Sequence, residues 1–224
     1  MLYNNKDDIY IVERRFLQTT QSFEMRLLKT TVNTQPTVIW NWIKDDWRIG
    51  EGGFVMLTDN QMIFARHPEI YSLKKGEKPK KFFEFDQPIK RIRAVAPNQI
   101  LLMNDSACFM VQHDGTLLKQ WLNLIDKDTK KAPLNRNQIF DADYNNGKLL
   151  FAYWGKRTFE VIEENGKQQT LLNQTEPFTP HWVAFLGNEK LLFSSKLVFD
   201  GSTPKPYLIK LNEINDKTII WEPD

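Results

Sequence analysis

Two pairs of like-charged side chains pose the first chemical question. Asp141 and Asp143 flank Ala142, and Arg91 and Arg93 flank Ile92. Alternate residues of a strand share one face, so each pair presents its charges side by side. Paired acids suggest glycoside hydrolysis, which sets two carboxyl groups at a defined separation across a sugar. Two acids on one strand do not span that distance, so a further acid such as Glu51 would have to complete the site. Paired arginines suit a carboxylate or a phosphate, which a planar guanidinium grips through two parallel bonds. Against both readings stand structural ones: Asp141 and Asp143 as rim acids or turn caps, and the arginines as their ion-pair partners. Asp45-Asp46-Trp47 is equally ambiguous and reads as a turn between structural units.

The remaining reactive residues are few. His67, His113 and His181 have no cysteine or histidine at metal-ligand spacing, and a structural zinc site wants four such ligands. No metal and no cofactor are expected. His113 precedes the Asp114-Gly115 turn and reads as a hairpin residue, while His67 precedes Pro68 in a loop. His181 opens the strand His181-Trp182-Val183-Ala184-Phe185 and is the histidine best placed to face a central channel. Cys108 lies in Ala107-Cys108-Phe109-Met110-Val111 and reads as a buried thiol packed like a small hydrophobe. Trp154, followed by Gly155 at the end of a strand, is the best candidate among the tryptophans for an exposed aromatic anchor, against the alternative of packing. Trp40, Trp121 and Trp221 fall at the edges of structural units and read as packing. Neither a phosphate-cradling glycine loop nor a Gly-x-Ser-x-Gly elbow is found. The candidate binding set is therefore Arg91, Arg93, Asp141, Asp143, Trp154, His181 and Trp182, with no catalytic residue assigned.

These residues must be positioned by strands. Apolar residues come in short runs separated by Gly, Asn, Asp and Pro, with little helical periodicity. Runs beginning at Met62, Ile100, Leu149 and Leu191 recur at the ~40–50-residue spacing of propeller blades. Each follows a polar turn: Asp59-Asn60, Pro97-Asn98, Asn145-Asn146-Gly147 and Gly187-Asn188. Asp114-Gly115 and Asn165-Gly166 supply the positive φ angles of tight hairpins. The N-terminal segment adds a further unit, and its closing strand Val38-Ile39-Trp40 resembles the final one, Ile219-Ile220-Trp221. The expected fold is an all-β propeller of about five four-stranded blades, a single domain over 1–224 with blades 1–46, 47–88, 89–136, 137–180 and 181–224. Stacked blades bury each other's faces and leave short edges. No spare strand for a shared closing blade is visible, so an open arc or a ring completed by a partner chain is the alternative.

His113-Asp114-Gly115-Thr116-Leu117-Leu118-Lys119-Gln120-Trp121 resembles the turn and outer strand of a PQQ-like or WD40-like blade. Asn215-Asp216-Lys217-Thr218-Ile219-Ile220-Trp221 is similar, with Asp-Lys in place of the glycine turn. The resemblance covers most of the chain as a pattern. The Trp-Asp and Gly-His signatures of WD40 repeats, the repeated Gly-Gly of kelch blades (only Gly52-Gly53 occurs) and sialidase-type Asp boxes are missing. It therefore implies the fold of the β-propeller superfamily and carries over no functional residue.

The 224 residues hold 30 basic and 28 acidic side chains, a net charge of +2. Such a balance provides no global field for nucleic acid or anionic lipid. One segment, residues 74–93, is locally basic and reads as a solvated hairpin rim. The first residues contain no apolar stretch of the secretory type, and no run approaches the ~20 apolar residues of a membrane span. The expectation is a soluble, cytoplasmic, bacterial-looking protein that acts as a non-catalytic scaffold. It binds another protein in this reading, as an immunity protein or a defence-complex subunit. A carbohydrate-active enzyme with funnel carboxylates is the first alternative, and nucleic-acid binding through residues 74–93 the second.

Overall fold

Short apolar runs ended by turn formers fold here as antiparallel strands, because each run is long enough to pair but too short for a helix. The computed structural model describes residues 2–5, 8–31, 33–43, 52–129, 132–196 and 206–222. Glu51 and Asp45-Asp46-Trp47 lie outside the described residues. Blade 1 holds β1 (Leu2–Asn5), β2 (Asp8–Leu17), β3 (Ser22–Thr30) and β4 (Thr37–Ile43). Blade 2 holds β5 (Phe54–Thr58), β6 (Gln61–Arg66), β7 (Glu69–Lys74) and β8 (Lys80–Lys81). Blade 3 comprises β9 (Arg91–Ala96), β10 (Gln99–Met103), β11 (Cys108–Gln112) and β12 (Leu117–Trp121). Blade 4 comprises β13 (Ile139–Asn145), β14 (Lys148–Tyr153), β15 (Thr158–Ile162) and β16 (Gln168–Asn173). Blade 5 is built of β17 (Phe178–Leu186), β18 (Glu189–Lys196), β19 (Pro206–Leu211) and β20 (Lys217–Trp221).

Every sheet is ordered as its strands follow in sequence, so the protein is an all-β, five-bladed β-propeller. Two details differ from the sequence reading. Strand β1, Leu-Tyr-Asn-Asn, lacks an apolar run and is recruited by pairing with β2 from Leu2↔Ile11 to Asn5↔Asp8. Strand β17 starts at Phe178, ahead of the expected boundary at 181. It runs through Pro180, which stands beside a register shift between Pro180 and Trp182; bulges and edge strands are where a sheet tolerates proline.

By compactness the chain divides into residues 1–102 with 111–116, and residues 103–110 with 117–224. In the first unit, Tyr10, Val12, Met25, Leu27 and Trp40 of blade 1 pack with Phe54, Met56, Met62, Phe64 and Leu73 of blade 2. Gly52 and Gly53 bring that blade against β9: a Cβ on either would meet the Lys90 or Ile92 carbonyl oxygen at 2.5 Å. Gly53 also has φ +83°, which glycine adopts without strain. In the second unit, Leu150, Ala152 and Phe159 of blade 4 pack on Val183, Leu192, Ile209 and Leu211 of blade 5. No helix among the described residues is long and apolar enough to cross a membrane.

Candidate functional site

The nominated acids lie on β13, the first strand of blade 4, and both reach the first strand of blade 5. Asp141 Oδ2 accepts the Val183 N–H at 3.1 Å, and Asp143 Oδ2 accepts the Phe185 N–H at 2.7 Å. Residues 183 and 185 alternate on β17 as 141 and 143 do on β13, so the carboxylates form a ladder between two strands. Open edges of that kind carry unpaired N–H groups, and here carboxylate oxygens satisfy two of them. Charge-assisted bonds of this type are the stronger class. The pair thus acts as a latch within the second unit. Asp141 is 4% exposed.

His181 and Trp154 are brought together, although not at an exposed rim. Phe140 and His181 each fall at a register irregularity, between Ile139 and Asp141 and between Pro180 and Trp182. Bulges re-aim side chains, and these two rings meet edge to face, 4.9 Å between centroids. Trp154 stacks on Phe140 at 5.0 Å and meets His181 at 4.9 Å. Its indole N–H donates to the Pro133 carbonyl at 2.9 Å. At 3% exposure Trp154 is a core residue, which corrects its reading as an exposed anchor. Its flat ring fills the space beside the bulge, and Gly155 leaves no Cβ against Asn137. His181 Nε2 lies 2.6 Å from Ser195 Oγ and 3.2 Å from Thr179 Oγ1. Trp182, by contrast, is 39% exposed.

Arg91 and Arg93 are half-buried on β9, either side of the buried Ile92. The Ile92 N–H donates to the Gly52 carbonyl at 2.6 Å. Cys108 is fully buried, and loss of solvation, with the Asp141 carboxylate adding to it, pushes its thiol pKa up. A thiol in that state stays protonated and inert. In the basic segment, Lys80 pairs with Glu77, and Lys81 with Glu69 and Glu84. Sequence reasoning also missed Glu160, whose carboxylate is buried on β15 and accepts from Thr158 Oγ1 and Gln168 Nε2.

The largest departure from expectation lies on the closing strands. Trp40, on β4, is 4% exposed. Its indole N–H donates to the Asp59 carbonyl at 2.8 Å, in the β5–β6 turn of blade 2. Asp59 is also a hub for side chains: its Oδ1 accepts the Tyr10 hydroxyl at 2.5 Å, and Lys29 Nζ lies 3.0 Å from Oδ2. The bonds from Tyr10 and then Lys29 hold the Asp59 carboxyl below its ordinary pKa. Burial, reinforced by the bond to Asp59, pushes the Tyr10 phenol up to about 12. Trp121, on β12, is 7% exposed and meets Tyr144 of blade 4 at 5.5 Å.

Trp221 breaks this pattern. It pairs with Leu208 beside a register irregularity, as Trp40 pairs with Leu27 beside one. Yet Trp221 is 50% exposed, and Ile219 and Ile220 are each 46% exposed. The expectation that Trp221 packs like Trp40 and Trp121 is therefore corrected. Nothing in the strand's own residues announces the difference, since Val38-Ile39-Trp40 and Ile219-Ile220-Trp221 read alike.

No family model matches the chain, and no curated protein matches it in sequence. Solved structures do. A nidogen/laminin complex contains a chain with TM-score 0.55 at 13% identity, covering 97% of this chain and 77% of that one. Virginiamycin B lyase from Staphylococcus aureus gives 0.53 at 10% identity, over 97% and 82% of the two chains. A chain in the S. cerevisiae assembly of Dbp5 with Nup159 and Gle1 gives 0.50 at 16% identity; 99% of this chain spans 60% of that one. At these identities the likeness shows the propeller fold alone, which serves lyases and assembly partners alike.

Proposed function

We propose that the protein is a non-catalytic interaction module whose β20 face receives another protein. One observation carries this reading: closing-strand tryptophans Trp40 and Trp121 are covered by the following blade, whereas Trp221 stands half exposed with two isoleucines beside it. A partner that presents a strand or hairpin edge would cover Trp221 as the β5–β6 turn covers Trp40, with a carbonyl for the indole N–H. Tryptophan is among the residues enriched at binding hot spots. An immunity protein or a defence-complex subunit is a role of this class. Asp141 and Asp143 support it indirectly, because both carboxylates hold backbone amides rather than standing ready across a sugar.

The test is quantitative affinity capture from the cells that make the protein, comparing wild type with Ile220→Lys/Trp221→Ala. Recovery of a specific protein partner should fall at least tenfold, as expected for losing about 2 kcal/mol at a hot spot. An unchanged partner set, from a variant with unaltered thermal unfolding, would refute the reading.

One observation favours an enzymatic alternative: His181 Nε2 and Ser195 Oγ are at the spacing of a base and its nucleophile. A fluorophosphonate probe that labels Ser195 in the native protein, and fails to label His181→Ala, would support it.

A further inference from the structure

Two strands of the second unit carry the same four residues, Lys-Leu-Leu-Phe, and their lysines meet different fates. Lys148 heads β14 with its side chain 44% exposed, and its Nζ lies 2.8 Å from Glu163 Oε2. Lys190 lies one residue inside β18 and is 7% exposed, on the inward row that continues through Leu192 and Ser194. Its ammonium donates to Asn215 Oδ1 at 2.9 Å, a neutral acceptor. Among the described residues no carboxylate forms an ion pair with it. An ammonium has three donors and no acceptor, and a buried charge without a counter-ion is costly. Burial, and then the positive charge of Lys148, lower the Lys190 pKa, while Glu163 and Glu213 oppose that shift.

Both lysines line one cavity of about 210 Å³ between the β13–β14 and β17–β18 hairpins. Its other polar groups are largely committed to holding the walls. Asn145 Nδ2 donates to the Gly187 carbonyl at 2.8 Å, and Asn188 Nδ2 to Glu213 Oε1 at 3.0 Å. Glu213 is the acid on the wall, and Glu163 is the one that neutralises Lys148. Lys190 is thus the cation without an ion-pair contact: Glu213 acts on it from the wall, and its ammonium bonds only the neutral Asn215 oxygen. Leu186, 56% exposed, and Ile214, 77% exposed, adjoin the lining residues Gly187 and Glu213.

We infer that this cavity is a binding subsite for a small oxyanion, a phosphate or a carboxylate group, with Lys190 as its buried charge and Lys148 as the second cation. The bound group supplies the acceptor that Lys190 lacks, and Leu186 and Ile214 offer apolar contact to whatever the group is attached to. The subsite is independent of the β20 face.

Sodium phosphate and sodium acetate, each replacing sodium chloride at constant ionic strength, are titrated while thermal unfolding is followed. Wild type should be stabilised saturably by at least one of them. Lys190→Met should bind about tenfold more weakly or not at all, the effect of losing a charge-assisted bond, and Lys190→Arg should keep binding. Preference for phosphate identifies a phosphoryl ligand, and preference for acetate a carboxylate. Should Lys190→Met fail to fold, lysine side-chain NMR of the wild type replaces it, with one buried ammonium expected to shift saturably. Stabilisation no greater than chloride gives, the same saturable response in folded Lys190→Met, or unmoved lysine resonances would each overturn the inference.

Discussion

Strands β4 and β20 carry nearly the same residues in the same kind of register; Val38 and Ile219 are similarly exposed, yet the two tryptophans end in opposite environments. Val38-Ile39-Trp40 and Ile219-Ile220-Trp221 each sit beside a register irregularity, with the tryptophan opposite a leucine. In blade 1 the indole is buried, Ile39 packs on the core shared with blade 2, and Asp59 caps the ring through its carbonyl. In blade 5 the corresponding residues are about half exposed. The closing strand of blade 1 packs on the blade that follows it, and that of blade 5 carries a half-exposed tryptophan.

The largest expected effect separates the two tryptophans. Trp40→Ala should cost about 3–5 kcal/mol of unfolding free energy, the range for emptying a buried aromatic site, read by urea denaturation. Trp221→Ala should cost less than about 1 kcal/mol, because a half-exposed side chain leaves no sealed cavity. Equal costs would break the comparison.

Asp59→Ala tests the roof over Trp40 next. It removes the acceptor for Tyr10 and Lys29 while leaving the carbonyl that holds the indole, and should cost about 1–2 kcal/mol. A Tyr10→Phe/Asp59→Ala double mutant should then be less than additive, because the two share one bond.

The same hub sets a smaller dependence on pH. Asp59 has a lowered folded-state pKa, so its contribution is present above the ordinary aspartate value of about 3.9 and fades as pH falls through the folded value. Tyr10 is raised to about 12, so its contribution is complete below about pH 10 and is lost as pH rises through the folded value. Because the Asp59 side chain is 55% exposed, solvent screening keeps the acid limb small. Asp59→Asn should flatten that limb of stability against pH; an unaltered limb would remove Asp59 from the account.

The smallest perturbation is optical. Trp221→Phe should remove a larger share of the acrylamide-quenchable tryptophan fluorescence than Trp40→Phe does, because Trp221 is half exposed and Trp40 buried. Addition of the captured partner should protect Trp221. Quenching of Trp221 that is indifferent to the bound partner would move the interface elsewhere on the propeller.

Much of the fold was legible in the residues, and less of the site. The polar turns Asp114-Gly115 and Asn165-Gly166 do adopt positive φ at glycine, +93° and +82°, since no other residue type enters that conformation so freely. Strand β1 was hidden because pairing with β2, rather than an apolar run, makes it a strand. Asp141 and Asp143 were found from alternation, but their partners are backbone amides of residues far along the chain, which no local pattern encodes. The burial of Trp154 is not legible in the residues, because a tryptophan before a glycine looks the same in sequence whether a bulge buries it or solvent bathes it.

The sequence by itself determined most of the strands, their turns, their repeat and hence the propeller, because backbone propensity and alternation are local properties; β1 is the exception, made a strand by its pairing with β2. The sequence also determined that Cys108 lies in a core, from the apolar run around it. Tertiary structure alone decided which copy of a repeated motif is covered. Identical Lys-Leu-Leu-Phe runs give one ion-paired lysine and one buried without an ion pair, and similar Ile-Trp endings give one sealed and one open indole. Burial and charge compensation depend on the neighbour across the gap, and residues that repeat along a chain do not all receive the same neighbour.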